Sequence, residues 1–523
     1  MFGSIFGGKK KSKEVRIQNA VDSMSAAYTD RAFTGNLDED MAFLKKLFED
    51  VDVLRVRELE NKFCKSHRFC LIYFDGMVDS LLMSQAIVKP LINERIEFKG
   101  GEALADELLK EIVEANEAEK TRELKKAIDA VTYGDTLLII DGCKDVLVLN
   151  TKEFSTRGIA EPDSEKTLTG PREGFNEAVM QNLSLIRRKL RTPALKMKFL
   201  SIGKRSNTSV CVCYLDGIVN QEVLQEVFKR LKKIDIDAIL DSNYITELIR
   251  DKPWSPFRTT GYTEKPDVVV AKILEGRVAI FVDGTCNVLT MPYLFIENFQ
   301  SGEDYYLNFF YTSASRLLRI IGFIATVITP GLYIAVVAFH REMMPQSLFI
   351  NIAAERMSVP LPAALEAFVM LAVFDILRET GVRMPSNIGQ ALSIVGALVI
   401  GQAAVEAKLV ASPMIIVIGF TGITNLLVPK MNAPIIYLRI ALLVLSSLFG
   451  FLGLIVGFLL LTIHILNLQS FGVPQVMHMG DLHFQDIKDS TFRAPWWEML
   501  TRPRSLTQNR TRMKIKGGGP NDA

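Results

Sequence analysis

Hydrophobic and polar positions follow two regimes along the chain. Before about residue 300, apolar runs are short and broken by charge; after residue 317 they are long and uncharged. Residues 320–339 form a 20-residue run without a charge, IIGFIATVITPGLYIAVVAF. Residues 384–405, 409–429 and 440–468 are three more uncharged stretches. A helix needs roughly 20 apolar residues to cross a hydrocarbon core of about 30 Å. The pattern predicts an α-helical polytopic membrane domain of four to six helices, with 440–468 as one tilted span or a span with an interfacial extension.

Polar residues divide these helices unequally. Pro330 is expected to kink 320–339 and free backbone carbonyls. Residues 345–356 are amphipathic. Residues 360–378 carry Glu366 and Asp375, so this stretch is expected to lie at the interface, pack in an oligomer or line water. Asn425 is a further polar group within 409–428. Residues 388–407 are rich in small residues, and Gly389, Ser393, Gly396 and Gly401 are candidates for close helix packing. Val395, Leu398, Gln402, Val405 and Glu406 share one helical face. That face reads either as pore-lining and gating or as interhelical hydrogen bonding, and spacing leaves both open. Aromatics at Tyr305, Tyr306, Phe309, Phe310 and Tyr311, with Arg316 and Arg319, mark a cytoplasmic interface. A tail with Lys488, Arg493, Arg502, Arg504, Arg510, Arg512, Lys514 and Lys516 puts the C-terminus on the same side, so the number of spans is even.

The soluble half reads as one unit written twice. Residues 12–60 show helical spacing through Phe43, Leu44, Leu47, Phe48, Val51 and Leu54. A strand then runs into Asp75-Gly76, helical patterns follow, and a strand pair is joined through Asp141-Gly142. The order recurs at Asp216-Gly217 and Asp283-Gly284. Gly76 to Gly142 spans 66 residues and Gly217 to Gly284 spans 67, a constant offset between copies of 141 to 142. Two matches in the same strand context argue for duplication, hence an α/β soluble N-terminal half of two similar subdomains. The Asp-Gly pairs read as strand-end turns. Between the copies lies a helical stretch with a basic block that includes Arg187, Arg188 and Arg191, ended by Pro193. It is a candidate for lipid or partner contact, against a solvated helix paired with acidic neighbours. Residues 254–267 read as an ordered loop before a strand at 268–274.

Charge and chemistry add exclusions. With 61 basic and 59 acidic residues the net charge is +2, which gives no reason to invoke nucleic acid. All six cysteines fall in the soluble half. Cys211 and Cys213 would share a strand face about 6.6 Å apart, poor geometry for a disulfide, so the thiols read as buried and free in a cytosolic half. The run from Cys64 to Cys70 has three candidate ligands beside two cations, which disfavours a metal site. No nucleophile–base set stands out, so no catalysis and no cofactor is expected. The basic N-terminus, with Lys9, Lys10, Lys11 and Lys13, suits an anionic cytoplasmic leaflet and lacks a signal-peptide core.

Several stretches together resemble the A subunits of the GerA family of spore germinant receptors. They are 170–176, 182–193 with 196–208, 264–267, 275–285, 329–344, 381–406 and 470–474, of which 389–407 is the most diagnostic. The resemblance implies an integral protein of the spore inner membrane, partnered by a permease-like B subunit that binds the nutrient and by a lipoprotein C subunit. It implies a pentameric homo-oligomer that conducts monovalent cations. It tilts the 395–406 face toward a pore. A non-conducting scaffold and a SpoVAF-like accessory channel are the alternatives. The expected division is 1–60 basic tail and helical segment, 61–155 first subdomain, 156–195 linker and basic helix, 196–300 second subdomain, 301–475 transmembrane domain and 476–523 basic cytoplasmic tail.

Overall fold

The computed structural model describes residues 31–63, 68–95, 101–109, 118–153, 162, 165–167, 169–383, 396, 399–476, 489–503, 506–507 and 511–512. Cys64, the N-terminal lysines and the tail residues Lys488, Arg504, Arg510, Lys514 and Lys516 lie outside them.

The first copy opens with α1 (Leu37–Leu47), capped by the Asn36 side chain on the Asp38 and Glu39 N–H groups. Beyond it, β1 (Leu54–Glu60) replaces the expected helical continuation. There Leu54 and Val56 alternate with Arg55 and Arg57, the period of a strand rather than a helix. β1 pairs with β2 (Arg68–Phe74). β3 (Ala118–Thr121), α2 (Leu124–Tyr133), β4 (Thr136–Ile140) and β5 (Val146–Leu149) complete an antiparallel sheet of order β1-β2-β4-β5-β3.

The second copy repeats this plan. It runs through α3 (Val179–Lys189), β6 (Leu195–Ile202), β7 (Thr208–Leu215), α4 (Gln221–Leu231), α5 (Ser242–Ile249), β8 (Gly261–Thr263), α6 (Pro266–Leu274), β9 (Val278–Val282) and β10 (Val288–Met291). The sheet order is β6-β7-β9-β10-β8, the same permutation. Gly76, Gly142, Gly217 and Gly284 all have positive φ, between 75° and 86°, as strand-end turns require. In each copy the second Asp-Gly pair also caps the first helix. Asp141 Oδ1 accepts from Leu37 N at 3.3 Å, and Asp283 Oδ1 accepts from Val179 N at 3.1 Å. So α3 is the counterpart of α1 rather than part of a linker, and a boundary at 195/196 cuts the second copy in two. The stretch 268–274 is helix α6, not a strand. Pro266 at its first turn presets the helical φ, which outweighs the β-branched run Val268-Val269-Val270.

One core joins the copies. Cys70, Ile72 and Phe74 of β2 and Cys211, Cys213 and Leu215 of β7 point into it, with α1, α2, α3 and α6 between the sheets. The alternate residues Leu71 and Val212 face separate outer cores. Cys70, Cys143, Cys211, Cys213 and Cys286 are free thiols. The backbone ties the copies as well: Asp52 N donates to Met197 O at 3.0 Å, and Met197 N to Asp50 O at 3.2 Å.

The copies differ where the C-terminal tail arrives. In the first copy Val78 forms a β-bridge with Lys152, and Glu153 N donates to Met77 O at 3.0 Å. At the equivalent place in the second copy, Val219 bridges Thr507, whose hydroxyl donates to Ile218 O. A residue nearly 300 positions away thus fills a slot that the first copy fills locally.

The helical half comprises α7 (Phe309–Ile334) with a π-helical turn at Ala335–Phe339, α8 (Gln346–Arg356), α9 (Ala363–Arg383), α10 (Ser412–Asn425) and α11 (Asn432–Leu466). Phe309–Phe339 and Pro429–Leu466 are long and apolar enough to cross a membrane by length and composition. The second of these folds back on itself, which corrects the expected single span at 440–468. Gly450 has φ 59° and ψ −134°, outside the helical region. A Cβ on Gly453 would lie 2.1 Å from Leu445 O, and one on Gly457 2.4 Å from Leu442 Cδ2. In a straight helix eight and fifteen residues span about 12 and 22 Å. The arms 432–449 and 451–466 therefore run antiparallel. Both outer ends meet the soluble half: Lys430 Nζ donates to Gln300 O at 3.3 Å, and His464 lies 2.9 Å from Ser255 Oγ. Residues 363–378 of the acidic stretch 360–378 belong to α9, which packs beside α10 and α11.

Gly276 (φ 93°) shows how tightly the tail is seated, because a Cβ there would lie 2.8 Å from both Ile218 O and Thr507 Cβ. Gly276→Ala is expected to cost about 1–3 kcal/mol and to loosen the tail. Limited trypsin digestion should then cut within the tail several-fold faster than in the parent chain; an unchanged rate would contradict the docked tail.

Candidate functional site

The root of α7 is a buried ion cluster. A short 3-10 turn, Gly302–Tyr305, presents Asp304. Arg316 Nε donates to Asp304 Oδ2 at 2.8 Å, and Arg319 Nη1 to Asp304 Oδ1 at 3.0 Å. Asp304 and Arg316 are each 1% exposed. Arg316 Nη1 also reaches Asp489 Oδ1 at 3.0 Å and Ser490 O at 3.1 Å. Arg493 donates to Asp304 O and Leu307 O, both at 2.7 Å. Arg502 Nε donates to Leu274 O at 2.6 Å, and Arg512 pairs with Glu275 at 2.9 Å. The described part of the tail is therefore not a free basic extension; its arginines hold the second subdomain to α7.

Beside this cluster, Glu297 pairs with Arg277 and, at 2.8 Å, with Lys272. Burial alone would raise the Glu297 carboxyl, but the two cations outweigh it and hold it down at about 2.

Within the helical half, the acidic residues of α9 are answered from inside the chain. Glu366 is 1% exposed, and its carboxylate accepts from Ala411 N, the N-cap of α10, at 2.6 Å. An anion there suits the positive end of the helix dipole. Asp375 accepts from Arg439 Nη2 at 2.6 Å and lies 3.4 Å from Arg378. Arg439 stands one residue before the uncharged run at 440–468, which is why the sequence pattern left it outside the span. Asn425 is 1% exposed and its side-chain amide makes no hydrogen bond among the described residues. Pro330 is buried inside helix that continues without interruption to the π turn, so it does not break α7. Ser446 Oγ donates to the neighbouring Gly331 carbonyl, a bond from α11 to the segment that Pro330 loosens.

The small-residue span is described only in part: Gly389, Ser393, Val395 and Leu398 lie outside the described residues. Gln402 and Glu406 are exposed and bonded to each other, Nε2 to Oε1 at 3.1 Å, with Val405 half-buried beside them. Gly396 is half-buried and a Cβ on it would sit 3.1 Å from Leu377 Cδ2. Gly401 is buried, but an added Cβ would meet Ile415 at 3.7 Å, an ordinary contact. The tight approaches within the chain fall elsewhere, at Gly422 against the Phe374 ring (2.4 Å) and Gly322 against Leu427 (2.7 Å).

Arg187 of the basic block faces inward, where it is not available for lipid or partner contact. Arg187 is 1% exposed and donates to Thr192 O and Leu195 O at 2.9 and 3.1 Å, stacked 4.5 Å over Phe74 of the first copy. Burial lowers its guanidinium to about 10, still charged at neutral pH. Arg188 pairs with Glu173, and Arg191 lies 3.5 Å over the Tyr133 ring. Arg187 and Arg191 thus contact rings of the first copy.

Arg439→Met leaves Asp375 without its closest cation and is expected to cost about 3–5 kcal/mol. Adding Asp375→Asn should recover part of that loss. Thermal unfolding of the full chain in detergent checks both; additive losses in the double variant would refute the coupling.

The family model described as "Bacillus/Clostridium GerA spore germination protein" matches residues 42–505. Spore germination protein KA of Bacillus subtilis is 38% identical over 466 residues, covering 89% of this chain and 85% of that protein. The uncharacterized membrane protein YfkQ of the same organism is 36% identical over 500 residues, covering 94% and 96%. The crystal structure of the N-terminal domain of the A subunit of the Bacillus megaterium spore germinant receptor GerK3 matches with a TM-score of 0.40 at 29% identity, covering 51% of this chain and 98% of that domain. A family match over residues 42–505, with relatives 36–38% identical along most of both chains, places this chain in the GerA family of spore germination proteins.

Proposed function

We propose that this chain is the A subunit of a germinant receptor in the spore inner membrane, and that copies of it form a pentameric ring around a path for monovalent cations. The observation that carries the reading is the contrast among polar residues of the helical half. Glu366 and Asp375 have partners inside the chain, whereas Gln402 and Glu406 are exposed and, among the described residues, bonded to each other. An ionisable residue at membrane depth needs water or a polar partner, and a water-filled axis between copies supplies it. By helical spacing in the sequence the same face would include Val395, Leu398 and Val405. Apolar side chains on the outer surface of the arms, such as Leu448, Leu452 and Leu459, are 54–65% exposed and suit lipid or a neighbouring copy.

The fold-back at Gly450 supports an even number of crossings. α7, α9, α10 and the two arms of α11 would supply five of six, the uncharged sequence at 384–405 the sixth, with the N-terminal half and the tail together on the cytoplasmic side. Exposed Phe310, Tyr311, Trp496 and Trp497 surround the root of α7, where an aromatic belt is expected. Nutrient binding to a permease-like B subunit, with a lipoprotein C subunit in the complex, would shift the closed–open equilibrium of the ring. The two welded subdomains would hold the ring together.

Glu406→Gln or Gln402→Lys in the native receptor is expected to change nutrient-triggered release of monovalent cations from spores by roughly tenfold, with receptor abundance unchanged on immunoblots. Unaltered release from both variants would remove the pore-face assignment and leave the scaffold reading.

A further inference from the structure

A cavity of about 190 Å³ lies where the second subdomain, the root of α7, the α10–α11 loop and the C-terminal tail converge. It is smaller than the roughly 300–1,000 Å³ of sites for drug-sized ligands, so only a small molecule fits. Its carboxylates are already engaged. Glu297 holds Arg277 and Lys272, and Glu275 holds Arg277 at 3.4 Å and Arg512 at 2.9 Å. Glu165 accepts from Glu264 N at 3.1 Å, and Asp267 accepts from the Tyr306 hydroxyl at 2.5 Å. Five cations line the cavity against these four carboxylates.

Two of those cations keep donors in reserve. Lys430 Nζ has a single long hydrogen bond, 3.3 Å to Gln300 O, and stands 3.8 Å from Glu165. Arg258 lies 4.4 Å over the Tyr262 ring with no carboxylate partner among the described residues. Deeper in, Arg277 is 4% exposed and its Nε lacks a hydrogen-bond partner. Tyr262, Tyr293 and Trp496 supply flat apolar wall between these charges.

We propose that this cavity binds a small organic monoanion, its oxyanion head taken by Lys430 and Arg258 and its planar body laid against the tyrosines. An oxyanion accepts charge-assisted hydrogen bonds, the strong kind, from both donors. It also cancels the one excess positive charge. An aromatic body gains both burial and ring contacts. Because Arg258 belongs to the second subdomain, Lys430 to the helical half and Trp496 to the tail, occupancy favours the arrangement that holds the three together. The site is separate from the 402–406 face, and its test does not depend on conduction.

The test is isothermal titration of the purified full chain in detergent with benzoate, with neutral benzamide as isostere and inorganic phosphate as a bare oxyanion. Tryptophan fluorescence serves as a second readout. Saturable one-site binding of benzoate is expected, at least tenfold weaker for benzamide and for phosphate, with a change in fluorescence that Trp496→Phe abolishes. Arg258→Met, at an exposed position, and Lys430→Met should each weaken benzoate at least fivefold while the far-ultraviolet circular dichroism is unchanged. Phosphate binding as tight as benzoate would overturn the aromatic body. Absence of saturable benzoate binding, or equal affinity in both variants, would overturn the site.

Discussion

A buried charge cannot leave its partner, and the geometry of this chain depends on that constraint at the root of α7. Asp304 takes Arg316 and Arg319 at once, and Arg316 passes on to Asp489 and Ser490 of the tail. Removing one partner from such a cluster costs on the order of 3–5 kcal/mol, several times what a surface pair contributes. The second subdomain, the first apolar helix and the tail are therefore held as one body. The cavity beside them exists because the same body brings Lys430 and Arg512 to the carboxylates of α6 and its neighbours.

The duplication explains what the rest of that body is made of. Each copy has one sheet face in a common core and the other in its own, so the two units cannot slide past one another without opening the core. Arg187 of α3 adds a directional contact across the seam: its guanidinium donates to two backbone carbonyls and stacks on a ring of the other copy. In the helical half the polar residues divide by partner. Glu366 and Asp375 of α9 have buried partners elsewhere in the chain, and Gln402 and Glu406 are exposed and, among the described residues, bonded to each other. That division is what a subunit needs if it packs stably alone and completes a polar path only with its neighbours.

Much of this was legible in the sequence. Two Asp-Gly pairs at constant offset exposed the duplication, and the uncharged runs located the apolar helices. What the pattern could not show had specific causes. The strand at 54–60 followed a helix too closely for one period to be separated from the other. Pro266 at a helix start overrode a β-branched run. The fold-back at Gly450 is hidden because both arms are equally apolar, and one glycine among several carries the turn. The inward turn of Arg187 and the partner of Asp375 both depend on contacts between distant segments, which linear spacing does not encode. Gly401 has only ordinary contact with Ile415, whereas Gly422 and Gly322 lie against the Phe374 and Leu427 side chains with no room for a Cβ.

Conduction is the most direct test of the proposed function. The purified chain, reconstituted with the proposed B and C partners into liposomes loaded with potassium, should release the ion when nutrient is added, and the Glu406→Gln chain should release it at a different rate. Liposomes that stay tight to potassium with nutrient present, while the complex is intact by size-exclusion chromatography, would contradict a cation path through this subunit.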